Sequence, residues 1–234
     1  MAMLNKNKVF LSLVFKFLER IGVQLVQFVI QIVLARILVP SEFGIISLLI
    51  VFINIANVFV QSGLVFAVMQ KKEPHHIDYT TIFYISFFIS IILYLLLFIL
   101  APVISGFLSV PTLIPLIRTT SIIIIIGSLL SVQNAYVIKN GKMKILMISS
   151  LFSAFLSGVI SVSLAMFNFG VWSLVFQMIL YNLINCLIYL FVLDWKPTLN
   201  FSIERAKTLF SFGWKILVSN FLNALYQDLR TFYI

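Results

Sequence analysis

Lys16, Arg20, Gln24, Gln27 and Gln31 recur at intervals of three and four residues inside an otherwise apolar stretch. At about 100° per residue they fall within an arc of roughly 80°, so a helix would carry them as one polar stripe. Two cations followed by three amides can hold an anion and then hydrogen-bond a polyol. Lys16 and Arg20 can also be read as side chains reaching back to a nearby aqueous interface. The three amides lie too deep for that and favour a hydrated interior. Asn54, Asn57 and Gln61 form a second polar face, equally suited to hydrogen bonds between helices and to lining a cavity. Ser150, Ser153, Ser157 and Ser161, with Gly158 nearby, make a face of small residues that suits close helix packing.

The elements that carry these residues are set by composition. Of 234 residues, 62% are hydrophobic and only 10% are charged, against about 45–50% and about 25% in a soluble domain. Too few polar side chains remain to cover the apolar surface, so lipid is the natural solvent. A spanning helix needs roughly 20 apolar residues. Six stretches qualify: Val9–Leu38, Phe43–Val68, Thr80–Ala101, Leu116–Ile138, Ile145–Met166 and Trp172–Leu193. A seventh opens near Leu209. The apolar runs are continuous rather than alternating, which favours helices over a barrel. The first stretch is long and carries Lys16, Glu19 and Arg20, so it reads as a retained span rather than a cleaved signal. Pro40-Ser41 ends the first span and offers Ser41 as a cap for the second; Asp78 caps the third. Pro102, Pro111 and Pro115 enclose a non-helical or lipid-surface connection before the fourth. Asn140-Gly141 and Asn168-Phe169-Gly170 supply the next two turns.

The net charge is +9, and its meaning lies in position rather than in affinity for nucleic acid. Lys6 and Lys8, Lys71 and Lys72, then Lys139, Lys142 and Lys144, then Lys196, Arg205 and Lys207 fall in alternate connections. The other three hold only Arg36 and, at a helix start, Arg118. With basic loops on the cytoplasmic side, the N-terminus is cytoplasmic.

The polar stripe also recurs. Laying Ser12 on Ser211 and Lys16 on Lys215 brings Arg20 to Ser219, Gln24 to Asn223, Gln27 to Tyr226 and Gln31 to Arg230. Both helices start on the same side, the pattern of a parallel repeat about an axis normal to the membrane. The expectation is that residues from 209 on open a second bundle, with both stripes lining a shared cavity.

An enzyme would need a catalytic constellation. His75 and His76, beside Glu73 and Asp78, form a loop cluster better read as solvated, because adjacent histidines point apart. The lone Cys186 excludes an internal disulfide and reads as packing. No nucleotide loop and no carboxylate pair spaced for glycosyl transfer is present.

The segment Leu34-Ala35-Arg36-Ile37-Leu38-Val39-Pro40-Ser41-Glu42-Phe43-Gly44 resembles the first inter-helix signature of the Wzx-type polysaccharide flippases of the multidrug/oligosaccharidyl-lipid/polysaccharide exporter superfamily. Phe169-Gly170-Val171-Trp172-Ser173-Leu174-Val175 resembles that family's turn into the sixth helix, and Phe210-Ser211-Phe212-Gly213 with Lys215 its entry to the seventh. The resemblance, nearest to colanic-acid and O-unit translocases, covers nearly the whole chain. It implies an all-α integral membrane fold: a six-helix first lobe of a two-lobe exporter (1–195), a cytoplasmic linker (196–208) and the first helix of the second lobe, truncated (209–234). It implies movement of undecaprenyl-pyrophosphate-linked oligosaccharide across the inner membrane by alternating access, coupled to H+ or Na+, with membrane lipids and polysaccharide polymerase machinery as partners and no cofactor. Lys16, Arg20, Lys215 and Arg230 would meet the pyrophosphate, and Gln24, Gln27, Gln31, Asn54, Asn57, Gln61 and Asn223 the sugars. A peptidoglycan-precursor flippase, a cation-coupled drug exporter, a homodimerising half-transporter and an inactive fragment are the alternatives. The drug exporter fits less well, because such cavities favour acids and the spans hold few. Family members run to roughly twice this length, so residues 1–234 alone should complete no transport cycle. Full turnover by purified 1–234 in liposomes would overturn that expectation.

Overall fold

The computed structural model describes residues 6–61, 63–198 and 200–232. They form helices α1 (Lys6–Ile37), α2 (Pro40–Gln61), α3 (Gly63–Gln70), α4 (His76–Leu108), α5 (Leu113–Thr120), α6 (Ile122–Lys139), α7 (Met143–Met166), α8 (Val171–Val192) and α9 (Ile203–Phe232). The protein is all-α. Six helical stretches among the described residues are long and apolar enough to cross a bilayer, the fourth being α5 and α6 together. They match the six expected stretches in number and order, but the second, expected over Phe43–Val68, ends at Val60 with α3 as a separate short helix, and the third, expected over Thr80–Ala101, runs from His76 to Leu108. Large apolar side chains such as Phe107 and Phe191 stand almost fully exposed on the outside of the bundle, as a lipid-facing surface requires. The stretch from Leu209 is helical too, but α9 starts earlier, at Ile203, and its polar stripe keeps it outside the set of strongly apolar helices.

Two helix starts, those of α2 and α4, share one device. In α2, Pro40 occupies the first helical position, where its missing N–H costs nothing. The cap is Glu42 rather than Ser41: its Oε2 accepts from the Val39 N–H at 3.1 Å. In α4, Asp78 reaches back in the same way to the His75 N–H at 2.8 Å. The turns at Asn140-Gly141 and Asn168–Gly170 form as expected, with positive φ at Gly141, Asn168 and Gly170. A Cβ on Gly170 would collide with the Glu42 carboxylate. The segments around Glu42 and Gly170, both of which carry the family resemblance, therefore touch at one end of the bundle.

The proline-rich connection is a correction. Pro102 lies inside α4 and Pro115 inside α5, leaving only Ser109–Thr112 between them. Pro102 cannot donate to the Phe98 carbonyl four residues back. Arg118 does so instead: its Nε lies 3.3 Å from that carbonyl oxygen, and its guanidinium sits 4.3 Å from the Phe98 ring centroid. Arg118 is thus in the last turn of α5, not at a helix start. Between α5 and α6 the break falls where Thr120 and Ser121 hydroxyls donate to the carbonyls of Leu116 and Ile117, at 2.7 and 2.6 Å. Such back-bonding competes with the helix ladder and bends it.

Packing is densest where α7 lies between α1 and α8. Lipid gives helices little reason to associate, so close contact depends on small residues. Gly158 admits the Ile30 side chain and Gly22 admits Leu151. Ser150, Ser153, Ser157 and Ser161 are all buried, so the serine face is a packing face. Cys186 is buried in a cluster with Leu146 and Tyr189.

Arg118→Met should lower the stability of the bundle by about 1 kcal/mol by leaving the Phe98 carbonyl without a donor. Adding Pro102→Ala, which restores the helical N–H, should recover most of that loss. Thermal unfolding of the single and double variants in one detergent checks both.

Candidate functional site

The α1 stripe is only partly enclosed. Lys16, Arg20, Gln24 and Gln31 are exposed, and Gln27 is half-buried. Lys16 is tied to Glu19 at 2.8 Å; Arg20 has no ion pair among the described residues. Farther along, Gln27 and Gln31 enter a cavity of about 270 Å³ between α1, α7 and α8. Ser157 lines it from α7, and Gln177, Tyr181 and Asn182 line it from α8. Asn182 donates to the Met178 carbonyl at 2.9 Å. The amides of Gln27, Gln31 and Gln177 have no protein partner among the described residues. Three free amides beside hydroxyl groups, with no acid in the lining, form a neutral hydrogen-bonding site at membrane depth.

Gln177, Tyr181 and Asn182 did not figure in the sequence reading. Their signal was available: positions 177 and 181 share a helix face and interrupt an apolar span. Ser157 was read as packing, and it both packs and faces the cavity.

The other expected residues lie elsewhere. Asn54 is exposed and Asn57 half-buried on α2, which packs against α9 through Phe59 and Phe221 at 5.1 Å between ring centroids. Lys215 and Asn223 are exposed on α9. The side chains of Gln61 and Arg230 lie outside the described residues. In this chain α1 packs on α7, whereas α9 packs on α3 and α2. The stripes on α1 and α9 therefore do not lie against one another.

One end of the bundle gathers the basic connections. Lys71 binds Asp78 at 2.8 Å, and Arg205 binds the same carboxylate at 2.9 Å. Lys139 Nζ donates to the carbonyls of Met69 and Lys71 at 2.9 and 2.6 Å. Lys142 pairs with Asp194 at 2.6 Å. That hydrogen bond lifts the Lys142 ammonium above its ordinary pKa and holds the Asp194 carboxyl below its own. The pair is therefore formed at neutral pH and weakens as pH falls through the lowered Asp194 value. His75 and His76 are both exposed, as a solvated loop requires, and the His76 ring also lies 5.9 Å from the Trp195 ring. Among the described residues no group of three or more metal-ligating side chains occurs.

Residues 33–234 match the family described as Polysaccharide biosynthesis protein. The chain belongs to this family. It is 25% identical over 220 residues to the lipopolysaccharide biosynthesis protein WzxC of Escherichia coli (strain K12), covering 90% of this chain and 43% of that protein. It is also 25% identical over 206 residues to the succinoglycan biosynthesis transport protein ExoT of Rhizobium meliloti (strain 1021), covering 88% of this chain and 42% of the relative. The chain thus spans less than half the length of both curated relatives. No solved structure gives a significant match.

A cavity amide kept for a ligand should be dispensable for folding. Gln27→Leu is expected to leave stability within about 1 kcal/mol of the parent or to raise it. Thermal unfolding in detergent checks this; a large destabilisation would make Gln27 a structural residue.

Proposed function

We propose that this chain supplies the first lobe of a flippase that carries undecaprenyl-pyrophosphate-linked oligosaccharide from the cytoplasmic to the outer leaflet of the bacterial inner membrane. The observation that carries the reading is the gradient along α1. Exposed Arg20 and the Lys16–Glu19 pair stand toward the basic end, and the unpartnered amides of the neutral cavity lie deeper. A diphosphate leaving water needs compensating cations, and a glycan needs hydrogen-bond partners to replace its hydration. Membership of a polysaccharide biosynthesis family supports the same substrate class.

In this reading the N-terminus and the basic connections are cytoplasmic, and α9 begins the second lobe. Lys215, Asn223 and Arg230 then face the pathway from that lobe, and Asn54, Asn57 and Gln61 contact sugar from α2. Coupling to H+ or Na+ and contact with a polysaccharide polymerase belong to the same proposal. A cation-coupled drug exporter would want acid in the cavity, and the α1–α7–α8 cavity is lined by none.

Purified chain in nanodiscs should bind undecaprenyl pyrophosphate, measured by native mass spectrometry. Arg20→Gln should weaken binding about tenfold by removing a charge-assisted contact. Gln27→Leu should spare the bare diphosphate and weaken only the glycan-bearing lipid. Equal binding of undecaprenyl pyrophosphate by parent and Arg20→Gln, or preference for a lipophilic cation, would overturn the reading.

A further inference from the structure

The Asp78 cluster lies apart from the α1–α7–α8 cavity, and ligand binding gives no account of it. Asp78 is fully buried near the start of α4, between Lys71, just beyond the end of α3, and Arg205, in the first turn of α9. Its two oxygens are held unequally. Oδ2 accepts from Lys71 Nζ and from the His75 N–H, both at 2.8 Å. Oδ1 accepts from Arg205 Nη1 at 2.9 Å. A cavity of about 390 Å³ opens beside the cluster, lined by Ala67, Lys71, Asp78, Glu204, Arg205 and Leu209 among others. Two bases and two acids cancel there, so it is no anion site.

A buried carboxylate stripped of every partner would be strongly destabilising. Withdrawal of Arg205 does not strip Asp78, because Lys71 and the His75 N–H stay in place and the freed oxygen faces the cavity. The chain leading into α9 is anchored by different means. Trp195 is buried, with its ring 6.0 to 6.2 Å from those of Tyr79, Phe83 and Tyr136. An apolar anchor thus precedes a polar contact that can open without leaving a bare charge.

We propose that Arg205 and Asp78 form a releasable latch that holds the start of α9 over the α3–α9 cavity, with Trp195 as the fixed point about which α9 swings. The use of such a swing in transport rests on the function proposed above; the latch itself is tested without transport. In a Cys186→Ala background, Ala67→Cys places a thiol in the lining of the cavity, where Ala67 is 6% exposed. The reaction of this thiol with a maleimide is followed in nanodiscs, where both faces are open. Arg205→Gln should speed labelling about fivefold, the scale of one partly exposed charge-assisted contact. Arg205→Lys, which keeps the charge, should restore the slow rate. Equal labelling of parent and Arg205→Gln would overturn the latch. So would Arg205→Gln in the chain that retains Cys186 and Ala67 if it speeds labelling of Cys186 as much, since that variant would have loosened the whole bundle. Labelling as expected, together with no binding of undecaprenyl pyrophosphate, would keep the latch and remove the transport reading.

Discussion

A bilayer core offers a polar group no partner, so each polar group at depth must be satisfied by the protein or face a wetted cavity. Much of this bundle can be derived from that constraint. Pro102 leaves one carbonyl of α4 without its donor, and Arg118 from α5 reaches across to supply one. Most of the buried hydroxyls on α5, α6 and α7 find carbonyls. Thr120 and Ser121 bend the fourth span in doing so, and Ser161 ties α7 to the Ser173 carbonyl of α8 at 2.9 Å. Acids that would be costly inside lie at helix starts, where Glu42 and Asp78 satisfy the backbone as well as their own charge.

Groups that meet the second half of that constraint, by facing a cavity, are the ones the proposed function draws on. Gln27, Gln31 and Gln177 keep their amides in a cavity without taking a protein partner. Apolar residues there would be simpler for folding, and the proposed function gives the amides a polar ligand to meet. The basic end follows the opposite logic. Four of its cations, Lys71, Lys139, Lys142 and Arg205, are engaged and knit the α3–α4, α6–α7 and α8–α9 junctions together. In the proposed reading the amides serve a ligand, and the engaged cations serve the architecture and its movement.

Legibility from sequence followed the range of the interaction concerned. Hydropathy over some twenty residues is a local sum, so the six spans were readable before any packing was known. The Gly141 and Gly170 turns were readable for the same reason. The proline connection misled because Pro102 looks like a helix end unless Arg118, sixteen residues on, is known to cover the gap. Ser41 was the obvious cap by residue type, but Pro40 had already taken the first helical position and passed the task to Glu42. On α8, Gln177, Tyr181 and Asn182 interrupt an apolar span, but only the packing of α1 and α7 shows that they share a cavity.

The sequence by itself determined the solvent, the helix count across it, the polar faces on α1, α2 and α7, and the gathering of basic residues in alternate connections. These depend on composition and on periodicity along one helix. Which polar faces meet was decided only by the tertiary structure. The α1 stripe meets α7 and α8 at its deep end, α9 docks on α2 and α3, and Asp78 draws Lys71 and Arg205 to one carboxylate across more than a hundred residues of chain. The physical reason is that stripes of similar polarity can pair in many ways, and the choice among them rests on where small residues such as Gly22 and Gly158 let two helices come close.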